Sequence, residues 1–163
     1  MVITMKISKS NAMRILETNQ ITYQVKEYPH GKDAVEGKEV ARLLNQDPEA
    51  VFKTLVTQAN TKEYLVFAIP VAYELDLKKA AKAANVKSLE MIPVKQITPI
   101  TGYVRGGCSP IGMKKQFRTF FHETLILFDE IMFSAGKIGL QCIVAPQDIL
   151  ALLDAQACDL VKD

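Results

Sequence analysis

Apolar residues along this chain alternate between spacings near 3.6 and near 2, and each change of spacing marks a new element. Ala12, Met13 and Leu16, with Ile15 beside them, make a helical stripe that Ser8 or Ser10 can cap and that ends near Asn19. ITYQVKEY follows as a strand with Ile21, Tyr23 and Val25 on one face, and Pro29 stops it just past Tyr28. Val40, Leu43 and Leu44 predict a short helix within 35–44. Asp47-Pro48 then turns the chain into AVFKTLVTQ, which is rich in β-branched and aromatic residues. YLVFAIPV is the next strand, and QANTKE between the two reads as a hairpin connection, so they are expected to pair antiparallel. Asp76 precedes LKKAAKAANV, a helix with Leu77, Ala80, Ala81 and Ala84 inward. Pro93 and Pro99 break up the following stretch. FRTFFHETLILFDE, IMFSAG and IGLQCIVA read as strands or strand-like runs, and Pro146 opens a last helix in PQDILALLDA.

Several of these strands are joined by connections too short for a parallel crossover through a helix. The expected class is therefore α+β: a mixed, mainly antiparallel sheet with helices around it. At 163 residues the chain has the size of one domain spanning 1–163, able to bury roughly two-thirds of its unfolded surface. With 48% hydrophobic and 23% charged residues and no low-complexity tract, it is expected to be globular rather than disordered.

A net charge of +2 is too small for a general nucleic-acid coat protein, although Lys78, Lys79, Lys82 and Lys87 crowd one helical stretch. They make either a solvated helix face or a local basic surface. Cys108, Cys142 and Cys158 are odd in number and widely spaced, and His30 and His122 stand alone, so neither a disulfide framework nor a metal site is expected. No cofactor motif is present: neither GxxxxGK[ST] nor GxGxxG after a strand occurs. MVITMKISKSNAM lacks a long apolar run and no stretch reaches membrane-spanning length, so no membrane association and a cytoplasmic location are expected.

The richest local signal is GYVRGGCSPIG at 102–112, running into Lys114 and Lys115 with Arg118 just beyond. Gly102, Gly106, Gly107 and Gly112 provide backbone without Cβ and Ser109-Pro110 forces a turn; such a loop can aim several N–H groups at one oxygen, or can simply be a bulge or hairpin turn. Lys53 shares a strand face with Val51 and Leu55, where a lysine either faces a pocket or extends its stem along an outer face. Ser134-Ala135-Gly136-Lys137 is a second turn with a hydroxyl and free backbone donors. Cys108 has no neighbouring histidine and reads as a small loop residue rather than a nucleophile. His122 and Glu123, adjacent on a strand, point to opposite faces and read as structural.

FKTLV around Lys53, LDLKKAAKAANVK at 75–87, TGYVRGGCSPIGMKK at 101–115 and SAGKIG at 134–139 together resemble the YbaK/EbsC family of aminoacyl-tRNA deacylases, free-standing relatives of the prolyl-tRNA synthetase editing domain. Order and spacing agree over nearly the whole chain. The resemblance implies a β-barrel-like mixed sheet flanked by helices and hydrolysis of the ester on mischarged tRNA(Pro), cysteinyl first. Alaninyl or broad specificity is the alternative within that class, and a non-catalytic module binding transfer RNA or a synthetase is the alternative outside it. A proline pocket cannot exclude residues of similar or smaller size, so a second site must remove them. The family's catalytic lysine falls on Lys53 and its double glycine on Gly106 and Gly107. The implied substrate-binding set is Tyr28, His30, Cys108, Ser109, Pro110, Ser134 and Gly136, and Lys78, Lys79, Lys82, Lys114, Lys115 and Arg118 are the implied transfer-RNA contacts. Prolyl-tRNA synthetase is the implied partner, and no protein nucleophile is evident: the thiol of a cysteinyl substrate, or an activated water, would attack. Departures from the family's usual residues fall at Pro29, Cys108 and Ile138.

Overall fold

The computed structural model describes residues 8–163, and Ser8 lies at its edge. Helix α1, Asn11–Thr18, begins where Ser10 Oγ accepts from Met13 N at 3.2 Å, which settles the choice of cap. The remaining elements are β1 Tyr23–Glu27, α2 Gly37–Leu43, β2 Phe52–Ala59, β3 Tyr64–Pro70, α3 Leu77–Ala84, β4 Leu89–Met91, α4 Ile97–Thr101, β5 Arg118–His122, β6 Ile131–Ser134, β7 Leu140–Val144, α5 Pro146–Leu153 and β8 Gln156–Cys158.

They form two sheets, ordered β1-β7-β6 and β4-β2-β3-β5-β8. The β2–β3 hairpin is antiparallel as its connection required, with Lys53 opposite Ile69. Only β3–β5 and β5–β8 are parallel. The expected mixed, mainly antiparallel α+β fold is therefore present. A parallel bridge between Val51 and Met132 joins the sheets at the start of β2, and Met132 N donates to Ala50 O there.

Strand β3 is buried on both faces, as its unbroken apolar run requires. Leu65, Phe67 and Ile69 pack beneath α3, while Ala68 joins Phe52, Phe121, Phe133 and Ile149 on the other side, beneath α1 and α5. A smaller cluster of Ala41, Val51, Val71, Met132 and Ile143 supports α2.

Two expectations need correction. Leu77 is 37% exposed, because the space beside Ala80, Ala81 and Ala84 is filled by Leu75, Leu160 and Val161. The C-terminal segment reaches that place because Lys79 Nζ binds Asp159, Asp163 and the Val161 carbonyl. The run 117–130 is strand only over β5; Glu123–Leu127 is a 3-10 turn that buries Leu125 and leaves Ile126 and Leu127 outside. Two three-residue strands, β4 and β8, and helix α4 were not anticipated. They are short, and their pairing partners lie dozens of residues away.

Candidate functional site

Strand alternation puts Lys53 on the face of β2 that carries Val51 and Leu55, opposite Ile69, and β4 pairs only with 57–59, so the start of β2 is uncovered by that neighbour. Around it stands a cavity of about 140 Å³. Val35, Val40, Val51 and Val71 form its apolar wall; Tyr28, Lys53, Thr54, Cys108, Ser134 and Gln141 bring polar atoms, and Gly106 closes one side.

Three loops assemble this wall. The segment after β1 places Tyr28, whose N–H donates to Gly139 O at 2.9 Å, and continues to Val35. It lies directly on the glycine loop: Gly106 has φ +84°, and a Cβ there would sit 2.6 Å from Ala34 Cβ. A glycine is needed at that position both for the left-handed backbone and for the close approach. The neighbouring Gly107 packs against the Lys137–Ile138 backbone, where a Cβ would lie 3.0 Å from Ile138 N. Ser10 Oγ donates to Ala135 O, so the cap of α1 also holds the third loop.

The backbone donors of the glycine loop are not equivalent. Gly107 N–H is spent on Val104 O at 3.0 Å, closing a turn. Gly106 and Cys108 line the cavity, and their N–H groups have no partner among the described residues.

Electrostatics single out Lys53. Burial holds its pKa below the usual lysine range, Lys38 adds to this, and Glu74 and Glu36 act in the opposite direction. No ion pair within 4.0 Å engages it among the described residues. Cys108 behaves as a buried small residue: burial raises its pKa to about 11, despite an opposing hydrogen bond with Thr101. It is thus a thiol, not a thiolate, at neutral pH.

Two functional candidates escaped sequence reasoning. Thr54 Oγ1 and Gln141 Oε1 are buried with no hydrogen-bond partner among the described residues, and both residues line the cavity. An orphaned polar atom costs about 1–3 kcal/mol, so its persistence at a cavity wall fits a ligand that pairs with it. The one available signal for Gln141 was a polar residue inside the apolar run LQCIV; Thr54 gave none, since threonine is ordinary in strands.

The structure brings Tyr28, Lys53, Gly106, Cys108 and Ser134 together at the cavity. Ser134 Oγ accepts from Gly136 N at 3.1 Å. His30 is exposed and stacks over Gly139, whose hypothetical Cβ would meet the ring at 2.2 Å. Ser109 and Pro110 are buried in the root of the loop, where Ser109 Oγ accepts from Ile111 N; Gly136 packs against Tyr103. His122 is buried away from the site and accepts from Leu160 N through Nδ1 at 3.2 Å. Of the basic residues, Arg118 forms a two-point pair with Glu63, Lys79 is committed to the C-terminus, and Lys114 Nζ reaches Pro99 O. Lys78, Lys82 and Lys115 are exposed.

A family model described as an aminoacyl-tRNA editing domain matches residues 31–152, a span containing most of this cavity wall. The chain belongs to the aminoacyl-tRNA editing domain family. It is 43% identical over 152 residues, 93% of each chain, to "Putative Cys-tRNA(Pro)/Cys-tRNA(Cys) deacylase EbsC" of Enterococcus faecalis (strain ATCC 700802 / V583). Its fold matches a crystal structure titled as a putative trans-editing enzyme for prolyl tRNA synthetase, with a TM-score of 0.82 and 24% identity over 96% of this chain and 100% of that one. It also matches hypothetical protein APE2540, with a TM-score of 0.84 and 16% identity over 94% and 100%. The resemblance read from the sequence motifs is thus borne out. No helix among the described residues is long and apolar enough to cross a membrane.

Proposed function

We propose that this editing-domain protein hydrolyses the ester between cysteine and tRNA(Pro), acting in trans after a synthetase has released the mischarged product. The observation that carries this reading is a cavity of about 140 Å³ with apolar walls, a lysine that forms no ion pair among the described residues and two polar atoms without a partner among them. That volume suits a small side chain, and Thr54 and Gln141 offer partners to an amino group or thiol. The 43% identity to a protein named as a cysteinyl-tRNA deacylase supports the same substrate class.

Ester cleavage needs an attacking group and donors for the developing oxyanion. Gly106 N–H and Cys108 N–H are the available loop donors, and Lys53 adds positive charge beside them. Among the described residues the cavity lining contains no histidine or carboxylate to serve as a base, and Cys108 is held protonated. Attack by the substrate's own thiol therefore fits the lining. Its sulfur bonds to the carbonyl carbon, the carbon–oxygen bond to the ribose breaks and the ribose oxygen takes the thiol proton; water then opens the resulting cyclic thioester to free cysteine.

The test is turnover by sub-stoichiometric protein on tRNA(Pro) charged in turn with cysteine, alanine, serine and proline. Cysteine should be released fastest, and S-methylcysteine should be released at least tenfold more slowly. Cys108→Ala should keep most of the activity. Equal rates for cysteine and S-methylcysteine would exclude the substrate thiol as nucleophile, and binding without turnover would leave only a transfer-RNA-binding module. Lys78, Lys82, Lys114 and Lys115 are the proposed contacts for the body of the transfer RNA, and prolyl-tRNA synthetase is the proposed partner. Lys79 and Arg118, already paired with carboxylates, are weaker candidates.

A further inference from the structure

A second, larger hollow opens beside the cavity. Its volume is about 720 Å³, and the segment 32–36 forms one bank while Val104, Arg105 and Gly106 form the other, with Ile138 at the end. Val35 and Gly106 line both hollows, so a molecule seated in the cavity can continue into the groove without a break.

Each bank carries an exposed cation, Lys32 on one and Arg105 on the other. Neither forms an ion pair among the described residues, although Asp33 and Glu36 also line the groove. Arg118 and Lys79, by contrast, are occupied by carboxylates. Beside Arg105, Val104 is 50% exposed, an apolar surface on the groove lining. Paired cations together with an apolar contact suit a strand with phosphates outside and bases turned in.

From this geometry we infer that the groove seats the single-stranded 3′ end of the RNA, with Arg105 and Lys32 on the phosphates preceding the terminal nucleoside and Val104 against a base. This rests on the reading of the cavity as the site of the aminoacyl ester. The cavity also adjoins a hollow of about 230 Å³ through Gly37, Lys53 and Val71, but Glu36 and Glu74 line that one beside Lys38; continuity together with two cations outside any ion pair among the described residues favours the groove as the path of a phosphodiester chain.

Two substrates separate the groove from the cavity: cysteinyl-adenosine, which has no phosphate, and a cysteinyl-CCA trinucleotide, too short to reach Lys78, Lys82 or Lys115. The double variant Lys32→Gln, Arg105→Gln should raise KM for the trinucleotide about tenfold with little change in kcat, and alter KM for the nucleoside less than twofold. Its affinity for the trinucleotide should also depend less on salt, the slope of log K against log salt flattening by about 1.4 for two lost single-strand phosphate contacts. A Lys62→Gln, Lys95→Gln variant, which removes two exposed lysines outside both hollows, should leave both trinucleotide readouts unchanged. Unaltered KM and salt slope in the Lys32, Arg105 variant would overturn the inference, as would equal losses on both substrates or an equally flattened slope in the Lys62, Lys95 variant. A wild-type protein that cleaves neither substrate would overturn the reading of the cavity itself, which is a different result from cleavage that ignores the two cations.

Discussion

Thr54→Val replaces a hydroxyl by a methyl of nearly the same shape, and the structure assigns that hydroxyl no partner. In the empty protein the substitution removes an unsatisfied buried polar group, whose burial costs about 1–3 kcal/mol. Taking the lower end, stability should rise by about 1 kcal/mol, and for a chain of this size the melting temperature should rise by about 2–4 °C. If the hydroxyl pairs with the aminoacyl group, the variant loses that hydrogen bond during catalysis. A loss of about 1.4 kcal/mol in transition-state binding lowers kcat/KM about tenfold. The same methyl should thus stabilise the protein and slow it. Thermal unfolding and single-turnover deacylation of cysteinyl-tRNA(Pro), measured on one preparation, read both signs. A lower melting temperature would show that the hydroxyl has an internal partner, and an unchanged kcat/KM would remove Thr54 from substrate recognition.

Lys53→Met should lower kcat/KM at least a hundredfold without lowering the melting temperature, since burial disfavours the lysine's charged form; near-normal turnover by the folded variant would refute its role. Because that burial depresses the Lys53 pKa, wild-type activity that needs the cation should fall, as pH rises, below the ordinary lysine value of about 10.4, measured as kcat/KM against pH after subtracting spontaneous hydrolysis. Gly106→Val places a β-branched residue at φ +84° and a Cβ 2.6 Å from Ala34, so deacylation should drop at least tenfold and stability by about 1–2 kcal/mol or more, checked by turnover and denaturant unfolding. His122 has its pKa lowered by burial, with Lys79 adding to the effect and Asp159 and Glu123 opposing it. The unfolded chain therefore takes up a proton near pH 6.5 that the folded chain refuses. Stability should fall as pH drops below about 6.5, by at most about 1.4 kcal/mol per pH unit from this group, and His122→Asn should remove that component of the slope in urea titrations.

The elements set by local physics were legible before any coordinates. Asp76 stands just before its helix and caps it, a cap for the first helix was expected at Ser8 or Ser10 and the structure chose Ser10, and the β2–β3 hairpin follows from two strand-forming runs and a short polar connection. The family resemblance implied a larger site set, of which Lys53, Gly106, Cys108, Ser134 and Tyr28 line one cavity, while Gly107, His30, Ser109, Pro110 and Gly136 do not line it. What could not be read were properties created by distant partners. Leu77 carries the right spacing for burial, yet Leu160 and Val161, some eighty residues later in the chain, take its place. Lys79 looks like any solvated lysine until Asp159 and Asp163 close on it. Gly107 resembles Gly106 in sequence, but its N–H is consumed by a turn while Gly106 faces the cavity. The absence of a hydrogen bond at Thr54 and Gln141 is visible only when everything within reach has been placed. Periodicity and capping act over a few residues, so the sequence by itself determines elements and the loops that must approach closely. Satisfaction of polar groups, cancellation of charges and the shape of a cavity depend on neighbours from several loops at once, and only the tertiary structure decides them.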